Sequence, residues 1–371
     1  MRTLVISDLH LGTRTRADVL TRPEALAVLL DRLDGVDRLV LLGDTLELRH
    51  GPARDALAVA EPVLRAIGDA LGPGGQVVLV PGNHDHAIAA GWLDWRERRH
   101  AADPIRLDER VPARRASWIA KRLACWLTPA GVEVAYPGLW LRDDVYATHG
   151  HYLDAHLVIP TLERLAIGVL ARLVGAVPDP ATPEDYEAVL APIYALSHAS
   201  AQRANGRRTA IGGRSAVGVW QVLAGGNGRT RRLRGYALAL PFRLGVVAAN
   251  RAGLGPVQAR VGVGELRRSG LTAVGETARR LRLAPAHLVF GHTHRAGMLP
   301  GDDPREWRTP SATQLHNAGG WVYERLFTGR GPQGESPYWP GGAIALDDDG
   351  PPRLERLLGD VPERVLRPAP P

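Results

Sequence analysis

Three apolar runs in the first part of the chain, TLVIS (3–7), RLVLLGD (38–44) and QVVLVPGNHD (76–85), each end in carboxylate, amide or imidazole side chains. Helix-period segments separate them, EALAVLLDRL (24–33) and DALAVAEPVLRAIGDAL (55–71). Strands alternating with helices at this spacing predict parallel βαβ units. In such sheets ligands gather beyond the strand ends, which is where the polar residues stand. After a Trp- and Arg-rich stretch (92–126), VEVAYPGLWLRDDVYATHG (132–150) reads as two or three short strands with tight turns. From 152 to 285 the chain turns Ala-, Leu-, Arg- and Gly-rich and helix-compatible, and strand signals return at AHLVF (286–290), QLHNAGGWVYERL and GGAIALDDDG. The expected layout is an α/β core in two parts, 1–151 and 286–358. A mainly helical insertion, 152–285, divides it, and a tail, 359–371, is expected to lack structure.

Five strand ends carry one kind of chemistry. ISDLHLG presents Asp8 and His10 at alternate positions, so both leave the same side of an extended chain. LLGDTLE presents Asp44, VPGNHDH presents Asn83, His84 and Asp85, and ATHGHYL presents His149 with His151 nearby. FGHTHRAG presents His292 and His294. Carboxylate with imidazole, and no thiolate, suits Mn, Fe or Zn. The set is too large for one ion and about right for two, with Asp44 the natural shared ligand. The glycines before Asp44, Asn83 and His292 are expected to let ligand and phosphate approach the backbone closely.

These blocks (D-x-H, G-D, G-N-H, H and G-H-x-H, in that order) resemble the calcineurin-like metallophosphoesterase family over roughly 3–151 and 286–320. The resemblance implies a four-layer αββα sandwich with a dinuclear site. One metal would take Asp8, His10, Asp44 and His294; the other, Asp44, Asn83, His149 and His292, with Mn favoured. His84 would face the substrate, with Asp85 orienting its ring, and a metal-bridging hydroxide would attack phosphorus in line. SDLHLG and GDTLE look most similar to the branch containing UDP-2,3-diacylglucosamine pyrophosphatases, although that branch usually has arginine where this chain has His84.

The partners follow from charge. A formal net charge of +7 and pI near 10.0, with Lys121 the only lysine, favour anionic partners. Expected substrates carry phosphate on a small molecule or a lipid. Arginines of the insertion (Arg164, Arg172, Arg203, Arg207 and Arg208) are candidates to hold phosphate bidentately. Two amphipathic runs, 156–177 and 235–249, allow contact with an anionic membrane surface, and no apolar stretch reaches the ~18 residues of a spanning helix. The single cysteine, Cys125, excludes an internal disulfide and fits a cytoplasmic setting. Three other readings stand beside this one: a nuclease or cyclic-nucleotide phosphodiesterase, a protein phosphatase, which the long apolar insertion disfavours, and a non-catalytic scaffold of the same fold. For nucleic acid, Trp92 and Trp95 come closest to stacking platforms, but packing is the better expectation for both.

Overall fold

A computed structural model of the protein describes residues 1–99, 103–158, 167–168, 175–203, 251, 263–328 and 332–368. The described chain divides into two compact units. One comprises Met1–His151, Ala201–Gly206 and Ala284–Pro371; the other, Tyr152–Ser200 and Arg207–Leu283.

The first unit contains ten described strands: β1 (Thr3–Ile6), β2 (Arg38–Leu42), β3 (Gln76–Val80), β4 (Asp108–Pro112), β5 (Gly131–Arg142), β6 (Val145–Thr148), β7 (His287–Phe290), β8 (Gln314–Asn317), β9 (Gly342–Leu346) and β10 (Arg353–Arg356). They form a hydrogen-bonded path in the order β10-β9-β1-β2-β3-β5-β6-β7-β8, with β4 paired to β5. β1, β2, β3 and the start of β5 are parallel, as are β6, β7 and β8. Such strands read as unbroken apolar runs because both of their faces are buried. Leu4, Ile6, Leu39 and Leu41 point into one core, and Val5, Val40 and Leu42 into another.

β5 joins two sheets. Residues 131–134 pair with β3, and residues 138–142 pair antiparallel with β6. The sequence predicts a break into shorter strands here, whereas Gly131–Arg142 is continuous through Pro137. The path folds over there: β1 and β7 lie five steps apart along it, yet the His292 N–H donates to Asp8 Oδ2 at 2.9 Å. Val5, Val40 and Val78 of the first sheet share a core with Leu139, Val145 and Val289 of the second. The outer face of the first sheet is covered by helices α1 (Pro23–Arg32), α2 (Ala53–Leu71), α3 (Ala87–Arg98), α4 (Ala113–Ala116) and α5 (Trp118–Trp126). The architecture is thus the α/β sandwich expected.

Among the described residues, the long helices of the second unit are α6 (Pro183–Arg203), which belongs to it as far as Ser200, and α7 (Val263–Arg280). Tyr152 stacks on Tyr186, with ring centroids 4.6 Å apart, in a cluster with Val189, Leu190 and Tyr194. Arg164, Arg172, Arg207, Arg208, the side chain of Arg203, the 235–249 run and most of the 156–177 run lie outside the described residues. No helix among the described residues is long and apolar enough to cross a membrane.

Two expectations need correction. Trp92 packs as expected, edge-on to Tyr136 with centroids 6.2 Å apart, but Trp95 is 52% exposed beneath the Arg99 guanidinium. The described residues of the tail, 359–368, carry structure. After α8 (Arg325–Thr328), a last helix, α9 (Glu363–Leu366), places Leu366 fully inside the first unit's core. Val361 packs against the same core from outside it. Leu366→Ala is expected to reduce unfolding free energy by about 2–5 kcal/mol, read as a lower denaturant midpoint at unchanged slope. A midpoint equal to that of the parent protein would mean that α9 does not dock.

Candidate active site

Two parallel strand sets, turned face to face, bring their C-terminal ends to one place. β1 delivers Asp8 and His10, β2 Asp44, β3 Asn83 and His84, β6 His149, and β7 His292 and His294. The exits are sharp. Asp8, His10, Asp44, His292 and His294 all adopt left-handed backbone, φ between 46° and 65°. Only eight non-glycine residues do so among those described, so five of the eight belong to this site. Each costs about 1–3 kcal/mol, and such residues concentrate where function requires them.

The glycines serve the same crowding. A Cβ on Gly43, whose φ is +86°, would lie 2.2 Å from His149 Cγ, and one on Gly291 would lie 2.0 Å from Ser7 Oγ. The backbone therefore approaches candidate ligand residues closely here, as the sequence leads one to expect.

The ligand atoms form three overlapping clusters, each within 4.8 Å: Asp8, His10 and His294; His10, Asp44 and His84; Asp44, His149 and His292. Asp44 Oδ2 lies 3.7 Å from His10 Nε2 and 3.3 Å from His149 Nε2, so one carboxylate touches both ends of the site. His10 Nε2 and His294 Nε2 face each other at 3.1 Å. Asp8 Oδ1 is buried without a hydrogen-bond partner, 3.3 Å from His294 Nε2. One end of the Asn83 amide meets Asp44 Oδ2 at 3.1 Å, His292 Nδ1 at 3.2 Å and His149 Nε2 at 3.3 Å. Lone pairs converging on shared points, with no thiolate among them, fit divalent cations.

Two imidazoles are already tied for ligation. His149 Nδ1 donates to the Leu42 carbonyl at 2.9 Å and His10 Nδ1 to Glu47 Oε2 at 3.1 Å, leaving each Nε2 lone pair facing the clusters. The electrostatics agree. Burial opposes charge on Asp8, but His294 and His149 hold its carboxyl down at about 2. Burial likewise opposes charge on Asp44 and Glu47, yet the surrounding histidines keep both well below the usual carboxylate range. Conversely, burial disfavours the cations of His10 and His149, but their carboxylate neighbours raise them to about 9 and 10. Three buried carboxylates thus draw positive charge inward, and either protons or metal ions can supply it.

His84 is half-buried at the edge of this set. Its Nδ1 lies 2.8 Å from Glu47 Oε2 and 3.0 Å from Oε1. Asp85, expected to orient it, does not contact the His84 ring. The Asp85 carboxylate accepts the N–H groups of Gly82 and Thr45, both at 2.7 Å, and of Leu46 at 3.2 Å. It fastens the third block to the second, and burial together with Asp44 pushes its pKa up to about 6. Glu47 is the carboxylate that orients His84, and it holds His10 as well. Sequence alone leaves the role of Glu47 undecided. His151 belongs to none of the three clusters: it is buried, 5.7 Å from His149 ring to ring, and burial keeps it well below its usual pKa.

Residues 1–169 match the sequence model of the calcineurin-like phosphoesterase family. No curated protein matches the chain. Among solved structures, a dimetal phosphatase from Danio rerio is similar at 12% identity and TM-score 0.33, over 94% of this chain and 93% of that one. A point mutant of a cold-active protein tyrosine phosphatase is similar at 15% identity and TM-score 0.26, over 94% and 75%. At such TM-scores neither likeness adds to what the residues show. Over residues 1–169, then, the chain matches the family that the strand-end blocks resemble, the calcineurin-like phosphoesterases.

Proposed function

We propose that the protein hydrolyses a phosphoester or pyrophosphate bond with two divalent metal ions. The observation that carries this is Asp44, whose Oδ2 stands between His10 and His149 as a ligand common to two clusters. Asp8, His10, Asp44 and His294 would hold one ion, and Asp44, Asn83, His149 and His292 the other. When bound, such a pair activates water and neutralises charge on the phosphoryl oxygens.

The chain's own residues supply the rest. Asp44 Oδ1 accepts the His84 N–H at 2.8 Å, fixing the loop that presents the imidazole. Glu47 accepts a hydrogen bond from His84 Nδ1–H, so Nε2 is the nitrogen left to hold a phosphoryl oxygen or to pass a proton to the leaving group. Cytoplasmic placement, and contact with an anionic membrane face, remain part of this reading through the net charge of +7. The presence of every expected ligand at one site weighs against a scaffold without chemistry.

The test is hydrolysis by metal-stripped protein after Mn²⁺ is added back, against bis-p-nitrophenyl phosphate, p-nitrophenyl phosphate, UDP-diacylglucosamine and a cyclic nucleotide. Turnover dependent on Mn²⁺ is expected. A preference for the lipid nucleotide supports the lipid branch, and one for a diester or cyclic nucleotide supports the phosphodiesterase reading. No turnover on any of the four, with two ions bound, would overturn hydrolysis of these classes.

A further inference from the structure

Beyond His10, the loop from Gly12 to Arg22 lines a groove of about 820 Å³. Arg14, Arg16 and Arg22 come from this loop, while Arg364 and Arg367 come from the C-terminal segment docked by Leu366. Asp18 is the one carboxylate among the lining residues, and its Oδ2 is taken by the Gly12 N–H at 3.0 Å. Two of the five guanidinium groups have partners. Arg22 donates to the backbone carbonyls of Asp18 and Arg16, and Arg367 pairs with Glu363 at 2.9 Å. Arg14, Arg16 and Arg364 are exposed and have no carboxylate partner among the described residues. Like charges gathered around one groove repel one another and raise the local concentration of anions. The planar guanidinium fork matches phosphate oxygens in particular.

The groove reaches the active site through side chains. Thr13, on its lining, meets His50 Nδ1 at 3.1 Å, His50 meets Glu47 at 3.5 Å, and Glu47 holds His84 at 2.8 Å. We propose that the groove binds a second phosphate-type group of the substrate, remote from the bond that is cleaved, with Arg14, Arg16 and Arg364 as its recognition residues. The substrate class is therefore a molecule with at least two phosphate groups, whether a soluble bisphosphate or a phosphorylated lipid headgroup. This inference rests on the hydrolase reading above, because the groove matters to catalysis only if phosphoryl transfer occurs beside it.

The experiment uses the full-length, Mn²⁺-loaded protein with bis-p-nitrophenyl phosphate as reporter. Competitive inhibition by adenosine 5′-monophosphate and by adenosine 3′,5′-bisphosphate is compared within each protein, so any change in basal rate cancels. The bisphosphate is expected to bind the parent protein about tenfold more tightly than the monophosphate, the size of one charge-assisted hydrogen bond. The ratio should fall towards one in R16Q/R364Q. A second arm uses phosphatidylcholine vesicles with and without phosphatidate. Inhibition that requires phosphatidate and is lost in the double variant assigns the groove to a lipid headgroup. Inhibition by the nucleotide bisphosphate alone assigns it to a soluble substrate. If both proteins hydrolyse the reporter with equal ratios and neither responds to phosphatidate, the groove proposal falls. If neither hydrolyses the reporter, the hydrolase reading falls instead, and calorimetric titration of the two nucleotides then decides the groove by the same ratio.

Discussion

Asp44→Asn should remove Mn²⁺-dependent turnover by roughly 10²–10³-fold or more, with a matching loss of bound metal. The substitution keeps the shape of the side chain and can keep the Oδ1 contact to the His84 N–H at 2.8 Å. What it removes is charge at the one point that faces both His10 and His149. An amide oxygen can serve one ion, and the amide NH2 then turns a donor towards the other. Folding should survive. Neutralising Asp44 relieves a repulsion with Asp85 but also removes a carboxylate that the surrounding histidines hold well below its usual range, so the metal-free protein should lose some stability. The readouts separate metal binding from folding: metal content by elemental analysis falls, and Mn²⁺ raises the melting temperature less above the variant's own metal-free value than it does in the parent. Full metal occupancy with undiminished turnover would sink the dinuclear reading.

The candidate ligand blocks are legible because a strand buried on both faces runs apolar up to its end, so an apolar run closing on Asp8 or His292 marks its own terminus. How the path folds over was not legible. That depends on β5 changing partners between residues 134 and 138, and no residue type encodes which neighbour each half will find. The Asp85 expectation failed for a related reason. His84 and Asp85 are adjacent in sequence, but successive side chains in the turn leave the backbone in different directions. One reaches Glu47 and the other the amides of the second block. The spacing of Glu47 from Asp44 in GDTLE was visible, whereas the 37-residue loop closure that sets it against His84 comes only from the β2–β3 pairing. The docked tail is not legible in its Pro- and Arg-rich composition, within which Leu366 and Val361 supply the apolar contacts to the core.

Glu47→Gln should reduce metal affinity about 10–100-fold and slow turnover beyond that loss. Glu47 is buried, and its Oε2 faces His10 Nδ1 at 3.1 Å and His84 Nδ1 at 2.8 Å. A carboxylate can accept from both rings, whereas glutamine offers one acceptor oxygen and an NH2 that must face an imidazole N–H. One ring therefore loses its tautomer and its alignment. The two consequences can be told apart with His84→Ala, which should leave metal content intact and lower kcat about 10²–10⁴-fold. In the double variant the affinity loss should persist, because it acts through His10. The slowing at saturating metal should vanish, because the residue through which it acts is already gone. Asp85→Asn gives the contrast: its carboxylate holds backbone amides, so any effect it has on kcat should multiply with that of His84→Ala. Multiplicative effects for Glu47→Gln as well would mean that Glu47 does not position His84, and the proton would then need another route to the leaving group.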